Sequence, residues 1–446
     1  MEGHFAYFPH TESDIKEMLK RVSCSSLEEL YADVPEDFIF KGEYDLPDAK
    51  SEQELRVFFE ELASQCPSKK IFVGQGAYDH YTPSVIEYLC SRSEFLTAYT
   101  PYQSEISQGT LRYIFEYQSM ICALTGLDVS NASLYDGATS AAEAVRMCIA
   151  STKDKDTVLV SEGLWANVRE TIETYARFSD IKIVTIPCNE GQTSYEALSN
   201  ALNEHVAGVI VPEINRFGLI EDHKGFAELV HSAGALFVEY CDPSTLAVIK
   251  TPQEWGADIA VGDAQSLGIP LNYGGPYLGF MACNTSLMRK MPGRIVGQTL
   301  DKNGKRSYVL TLQAREQHIR REKATSNICS NQSLMALWVT IYLSLMGPEG
   351  MKRVNNLSYE GAHSLKTKLL ETGLFEDVFP EKPFIKEFVL KPLCDVAALQ
   401  QTLYAAGFFA GLLTPDGYLT FCVTEKYTLN DIEELVEAVK SFKLGK

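Results

Sequence analysis

Short apolar segments alternate with amphipathic segments through the middle of the chain, and no other sequence feature limits the possible folds as strongly. The apolar segments are rich in Val and Ile and occupy residues 157–160, 181–186, 206–211, 235–238 and 259–261. Between them lie amphipathic segments at residues 165–178, 195–202 and 225–232. This alternation is typical of an α/β fold, in which helices cover both faces of a mainly parallel sheet. Ligands bind such sheets at the carboxyl ends of the strands.

The 446 residues exceed what one hydrophobic core holds, so we expect more than one domain. Residues 1–65 are acidic and helical in pattern, and they predict an N-terminal helical arm whose first helix is capped by Thr11. Residues 66–330 contain the alternating pattern and form the predicted large α/β domain. Arms of this kind either wrap a partner subunit or pack on their own domain.

The C-terminal part, residues 331–446, predicts a small α+β domain. It begins with an apolar helix over residues 331–345, which Gly347-Pro348 interrupts. Strands are predicted at 384–390 and 419–423, with helices at 395–406 and 430–442.

Charge and cysteine content exclude several classes of function. A net charge of −19 argues against nucleic acid or an anionic membrane surface as the main partner. The eleven cysteines form no CxxC pair and no His/Cys cluster with zinc spacing, so we expect free thiols and no metal site. The N-terminus has no secretory pattern and no apolar run approaches the ~20 residues of a membrane span. We therefore expect a soluble, cytoplasmic protein.

One basic segment stands out in this acidic chain. Residues 289–323 contain ten Lys or Arg against three acidic residues. Arg315, Arg320 and Arg321 carry the planar donors that suit carboxylate or phosphate groups, and His318 can titrate near neutral pH. Two interpretations are open: a solvated basic face, or an anion site or docking face for an acidic partner. A lone histidine is more often structural than catalytic.

Three groups of polar residues are candidates for a site. Tyr99 and Tyr102 flank Pro101 just before a helix, where they can stack on a ligand or simply form an interface. Ser133 and Asp136 precede an Ala-rich helix whose free N–H groups can bind phosphate, although Asp136 would repel one and a plain capped helix is equally consistent. Asp242 follows an apolar strand, where it can pair with a cofactor nitrogen or cap a turn.

A glycine-rich stretch follows the last of the apolar segments, and it contains no lysine. Lysine is absent between Thr251 and Arg289. In pyridoxal-phosphate enzymes of the aminotransferase type, a loop of this kind carries the lysine that forms the Schiff base. Gln265 and Ser266 occupy the loop here, and neither side chain can form an imine.

Taken together, these motifs resemble the glycine decarboxylase P-protein family, and in particular the first subunit of its two-subunit form. The resemblance covers the chain from about Tyr7 into the C-terminal domain. The matching pieces include Thr97–Gln103, Glu105–Gly109, Asn131–Ser133, Gly262–Phe280, Met291–Gln298 and Gln313–Asn327.

The resemblance implies a fold of the aspartate-aminotransferase type and a heterotetramer of two copies of this subunit and two of a homologous second subunit. The second subunit is then expected to hold the lysine and the pyridoxal phosphate. The family reaction decarboxylates glycine and transfers the aminomethyl group to the lipoyl arm of H-protein. This chain would complete the partner's site, with no covalent catalytic lysine of its own.

The resemblance also gives the candidate residues provisional roles. Tyr99 and Tyr102 are the first candidates to reach the shared cleft, and Arg315, His318 and Arg320 are candidates for the lipoyl channel or the subunit interface. Ser133, Asp136, Asp242 and Gln265 would line a vestigial cofactor pocket. Two alternatives remain open: a self-sufficient pyridoxal enzyme that uses Lys250 or Lys323, and a non-catalytic scaffold subunit.

Overall fold

The computed structural model describes residues 9–444 and divides into two compact units, with the boundary after Pro67. The first unit contains helices Glu12–Arg21 and Glu52–Ser64 and the 3₁₀ turns Glu28–Tyr31 and Glu36–Phe38. Thr11 caps the first helix as predicted: its Oγ1 accepts from the Asp14 N–H, and Asp14 accepts from the Thr11 N–H in return.

The second unit is built on a seven-stranded sheet that the predicted apolar segments form. Its spatial order is Val129–Ser130, Gly279–Cys283, Ile259–Asp263, Leu236–Tyr240, Val206–Pro212, Thr157–Ser161 and Lys182–Ile186. The last five of these strands are mutually parallel, whereas Gly279–Cys283 runs antiparallel to both of its neighbours. All five predicted strands are present, with boundaries that differ by at most two residues.

Helices cover both faces of this sheet because its strands are apolar on both sides. Val158 and Val160 pack into one buried cluster, and Leu159 between them packs into another on the opposite face. The helices of this unit up to residue 255 are Ser84–Cys90, Ser93–Leu96, Gln108–Thr125, Gly137–Ser151, Ala166–Arg177, Tyr195–Ala201, Phe226–Ser232 and Pro252–Trp255.

Helix Ser333–Glu371 leads into the C-terminal part and is broken at Gly347, whose φ of 56° and ψ of −177° leave the helical region. By length and composition alone this helix is able to cross a membrane, but Gly347 divides it. Several of its buried residues, Ala336, Val339 and Tyr342 among them, belong to the same core cluster as helix Gln108–Thr125, and others, such as Leu365, belong to the core of the C-terminal part. It therefore serves as a core helix.

A second sheet follows with the spatial order Phe375–Asp377, Glu387–Pro392, Leu419–Cys422 and Leu412–Leu413. Helices Val396–Ala405 and Leu429–Leu444 flank it. The strand predicted at 384–390 begins at Glu387 instead, because Phe384 pairs in an isolated bridge with Leu219. Strand Lys70–Phe72 pairs in parallel with Phe408–Ala410.

The remaining elements are short. Antiparallel pairs join Cys188–Asn189 with Gln192–Thr193, and Ile295–Leu300 with Arg306–Thr311. The basic segment after the second pair forms turns and one helical turn at Gln313–Arg315, Gln317–Arg320 and Arg321–Lys323. Other 3₁₀ turns lie at Thr245–Ala247, Ala264–Ser266 and Thr285–Lys290.

Candidate functional site

The carboxyl ends of two central strands and the start of one helix meet at the edge of the sheet where α/β folds bind ligands. Asp242 follows strand Leu236–Tyr240, and Asp263 ends strand Ile259–Asp263. Helix Gly137–Ser151 begins beside them. A cofactor of an α/β fold is expected at this edge, so the contacts of its polar groups decide whether a cofactor fits.

The start of helix Gly137–Ser151 already holds carboxylates. Asp263 Oδ2 accepts from the Gly137 N–H at 2.9 Å, and Asp136 Oδ1 accepts from the Thr139 N–H at 2.8 Å. A Cβ added to Gly137 would lie 2.5 Å from the Tyr240 Oη, so the surroundings are packed tightly. Two of the backbone donors at this helix start are therefore occupied by side chains of the chain itself.

Asp263 is partly buried, and three backbone N–H groups hold its carboxylate. Besides the bond from Gly137, its Oδ1 accepts from the Gln265 N–H at 2.9 Å and from the Leu278 N–H at 3.4 Å. Burial raises the pKa of Asp263 to about 6, although the backbone hydrogen bonds oppose that rise. At neutral pH the group is mostly an anion placed where a phosphate would otherwise bind.

Asp242 also has an internal partner. Its Oδ2 lies 2.6 Å from the Lys386 Nζ, and its Oδ1 accepts from the Ser244 hydroxyl at 2.8 Å and from the Ser266 hydroxyl. Burial alone would raise the pKa of Asp242, but the ammonium of Lys386 holds that pKa below its usual value. A protonated ring nitrogen would have to displace this ammonium.

Gln265 lies in the glycine-rich stretch where a lysine was expected, and its side chain is fixed by backbone hydrogen bonds. Its amide nitrogen donates to the carbonyls of Tyr78 and Ile269 at 2.8 and 2.7 Å, and its amide oxygen accepts from the Tyr78 N–H at 2.8 Å. The side chain is buried and contributes to the structure through these three bonds. It leaves no group free to bind a ligand.

These contacts show that the residues present do not fit pyridoxal phosphate. Asp263 accepts hydrogen bonds from the N–H groups of Gly137 and Gln265. The next residue, Ser266, donates its hydroxyl to Asp242, so the two carboxylates belong to one hydrogen-bonded cluster. The Ser133 hydroxyl is engaged by other partners: it accepts from the Asn331 amide at 2.9 Å and from the Gln332 N–H at 3.1 Å.

The alternative lysines are also placed away from this group. The Lys250 Nζ lies 4.0 Å from the centroid of the Trp255 ring, and Lys323 is exposed in a 3₁₀ turn. The lysine beside the pocket is Lys386, and its Nζ is engaged by Asp242, by the Ser244 hydroxyl at 3.0 Å and by His80 at 3.0 Å.

The tyrosine loop and the basic segment meet around residues 291–294. Tyr99 is 74% exposed and Tyr102 is 52% exposed, and the Tyr102 Oη accepts from the Arg294 Nη2 at 3.0 Å. Arg315, in the turn Gln313–Arg315, reaches the loop at residues 291–294: its Nη2 donates to the Gly293 carbonyl at 2.9 Å and its Nη1 donates to the Met291 carbonyl. The structure thus brings Tyr102 and Arg315 to one place.

His318 and Arg320 lie further along the basic segment and are exposed. The Nδ1 of His318 is 3.6 Å from a carboxylate oxygen of Glu316. His318 and Arg321 line a surface cavity of about 430 Å³ that Ile328 and Cys329 also border. The histidine is accessible, so a role at an interface or channel stays a prediction.

Two residues that fill the site were not singled out from the sequence. Asp263 directly follows an apolar strand, so the same signal that identified Asp242 was available for it. Lys386 had no local signal, because it reaches the pocket from the C-terminal part of the chain. Within residues 9–444, no group of three or more His, Cys, Asp or Glu side chains is arranged to hold a metal ion.

Comparison with known proteins identifies the family of the chain. The family model of the glycine cleavage system P-protein matches residues 5–439. The probable glycine dehydrogenase (decarboxylating) subunit 1 of Moorella thermoacetica is 47% identical over 440 residues, covering 97% of this chain and 99% of the relative. That of Anoxybacillus flavithermus is 44% identical over 445 residues, covering 98% and 99%.

Solved structures give the same result. A crystal structure of glycine decarboxylase (P-protein) of the glycine cleavage system, in inhibitor-bound form, matches with a TM-score of 0.90 and 43% identity, covering 98% of this chain and 100% of that one. A sphingosine-1-phosphate lyase of Burkholderia pseudomallei shares the fold, with a TM-score of 0.67 at 13% identity and coverage of 93% and 94%. The predicted α/β fold of the pyridoxal-dependent transferase type is confirmed. The chain belongs to the glycine cleavage system P-protein family.

Proposed function

We propose that this chain is the non-covalent half of a two-subunit glycine dehydrogenase (decarboxylating), and that it completes an active site held by the second subunit. Family membership gives the chain a role in the glycine cleavage system, and its relatives are named subunit 1. The observation that carries the finer proposal is the occupied pocket. Asp263, Lys386 and Gln265 fill the places that a phosphate, a ring nitrogen and a lysine would take.

In this proposal the second subunit holds pyridoxal phosphate and its lysine. The cofactor supplies an electron sink for the electron pair left when the carboxyl group of glycine departs as CO₂. This chain contributes phenols and basic groups around the shared cleft and excludes water from it. Tyr99 and Tyr102 support that role because both residues are exposed.

The aminomethyl group then passes to the lipoyl arm of H-protein, whose disulfide is reduced as the new carbon–sulfur bond forms. Arg315, His318 and Arg320 are our candidates for the channel or interface that the arm uses. The assembly is a heterotetramer of two copies of each subunit in the cytoplasm. Arg315 supports the loop around Gly293 through backbone contacts, whereas His318 and Arg320 are exposed and available to a partner.

The test mixes the purified chain with pyridoxal phosphate, alone and then with the second subunit, and traps any imine with borohydride. We expect an adduct on the second subunit alone. CO₂ release from glycine in the presence of lipoylated H-protein should require both subunits. An adduct on this chain would instead support a self-sufficient enzyme, and full activity of Tyr99 and Tyr102 variants would support a scaffold.

A further inference from the structure

Arg294 is a buried cation without an acidic partner. Arg294 is 6% exposed. Its Nη2 donates to the Tyr102 Oη at 3.0 Å, and this is its one hydrogen bond to a side chain within residues 9–444. Among residues 9–444 no carboxylate pairs with it, and its buried Nε has no acceptor. A buried charge is costly unless it is paired, so this arrangement points to an anion that completes it.

The neighbouring Arg315 differs from Arg294, because its guanidinium stabilises the backbone around residues 291–293 and Leu312. Its donors reach the carbonyls of Met291, Gly293 and Leu312. The guanidinium of Arg294 donates to the Tyr102 hydroxyl and to no backbone carbonyl among the described residues. The backbone carbonyl of Arg294 accepts from the Ala132 N–H at 2.8 Å. The backbone of Arg294 is therefore held in place while most of the side chain's donors are left over.

We propose that Arg294 and Tyr102 form a receptor for a carboxylate group. A guanidinium presents two parallel donors that match the two oxygens of a carboxylate. The Tyr102 Oη accepts from Arg294 and keeps its own proton to donate to the same anion. The Tyr102 ring also lies 5.3 Å from the guanidinium carbon and covers it on one side.

Because Tyr102 is partly exposed, an anion can reach the Arg294–Tyr102 pair from solvent or from a partner. Tyr102 is half exposed, and Tyr99 and Ile106 in the same loop are 74% and 79% exposed. Under the proposed function, two sources of a carboxylate meet this loop: glycine in the shared site and an acidic side chain of the second subunit. Both present the same chemical group, so the experiment has to separate them.

The experiment uses the assembled two-subunit enzyme with Arg294→Gln, Arg294→Lys and Tyr102→Phe, and it uses Arg177→Gln as a charge-matched control on an exposed helix position. Two quantities are measured: the KM for glycine and the dissociation constant of the subunits. A KM raised about tenfold or more by Arg294→Gln identifies the carboxylate of glycine. A dissociation constant raised about tenfold at unchanged KM identifies an acidic side chain of the second subunit.

The proposal would be overturned if the Arg294 variants changed neither the KM for glycine nor the dissociation constant of the subunits and so behaved like the Arg177→Gln control. Arg294→Lys keeps the charge and loses the paired donors, so it should retain only part of the effect and remains informative if Arg294→Gln does not fold. If the mixed subunits prove inactive with glycine, the full chain alone is titrated with acetate at constant ionic strength. Saturable binding that Arg294→Gln abolishes supports the receptor, and its absence in the unsubstituted chain refutes it.

Discussion

Lys386 and Asp242 form an ion pair that is almost fully buried, with 2.6 Å between Nζ and Oδ2. The two side chains are 3% and 8% exposed. Lys386 is held in turn by the Ser244 hydroxyl and by His80, whose other ring nitrogen lies 2.6 Å from Glu425. The ammonium group that pairs with Asp242 thus comes from the C-terminal part of the chain.

Breaking this pair should destabilise the protein strongly. Lys386→Met leaves the carboxylate of Asp242 buried without a cation, which costs about 3 to 5 kcal/mol of unfolding free energy. Adding Asp242→Asn to that variant should recover part of the loss, because the uncompensated charge is removed. Urea unfolding of the single and double variants measures both effects. Equal stability of Lys386→Met and the unsubstituted chain would contradict the pairing.

Returning a lysine to the glycine-rich loop should not restore cofactor binding. Gln265→Lys loses the three hydrogen bonds to the backbone of Tyr78 and Ile269, and its amine cannot accept from the Tyr78 N–H when it is charged. We therefore expect the unfolding free energy to fall by about 2 kcal/mol. Asp263 and Lys386 still fill the rest of the pocket. Titration with pyridoxal phosphate should therefore give no new absorbance band and no adduct after borohydride. A stoichiometric adduct would show that the pocket opens.

Glu387 should make stability decline as pH rises. It is buried, accepts from the Gln75 N–H at 2.5 Å and the Tyr78 Oη at 2.9 Å, and burial raises its pKa to about 7. Between about pH 4.5 and 7 the folded chain keeps a proton that the unfolded chain releases, so the unfolding free energy falls through this range. The fall amounts to at most about 3 kcal/mol.

The Gln side chain of the Glu387→Gln variant does not titrate. The unfolding free energy of the variant, relative to that of the unsubstituted chain, should therefore increase as pH rises from 5 to 8. Urea unfolding at several pH values measures the difference, and the exposed Glu371→Gln serves as the control with no such drift. A constant difference across this range would show that Glu387 does not bind the proton.

Tyr99 should affect activity without affecting folding. Its ring is 74% exposed, so Tyr99→Ala should change the unfolding free energy of the chain by less than about 0.5 kcal/mol. If it reaches the shared cleft, glycine decarboxylation by the mixed subunits should fall by about tenfold or more, with assembly intact. Activity assays alongside analytical ultracentrifugation separate the two effects. The scaffold alternative predicts unchanged activity.

Arg315 and Arg320 should respond differently to alanine. Arg315 supports the loop through the carbonyls of Met291, Gly293 and Leu312, so Arg315→Ala should lower the melting temperature of the chain itself. Arg320 is exposed, so Arg320→Ala should leave that temperature unchanged and weaken assembly or transfer to H-protein. If both variants assemble and transfer normally, neither residue belongs to an interface or channel.

Local sequence patterns were sufficient for the sheet but not for the interior of the site. Strand Val206–Pro212 was predictable because a buried parallel strand is apolar on both faces. The absence of lysine near Gln265 and the position of Asp242 after a strand were also visible. The ammonium of Lys386 was not, since only tertiary folding brings it to Asp242. Ser133 was placed in the cofactor pocket from the sequence; its hydroxyl accepts from Asn331 and Gln332, and its assignment to the pocket stays a prediction.

The carboxylate of Asp263 at the start of helix Gly137–Ser151 has a consequence for how this chain could change. Because it is tethered, it competes for the Gly137 N–H as an intramolecular group, whereas a phosphate compound has to bind from free solution. A descendant that regained a lysine would still carry this built-in competitor. Return to independent catalysis would require at least two coordinated changes, so the division of labour between the subunits is difficult to reverse one substitution at a time.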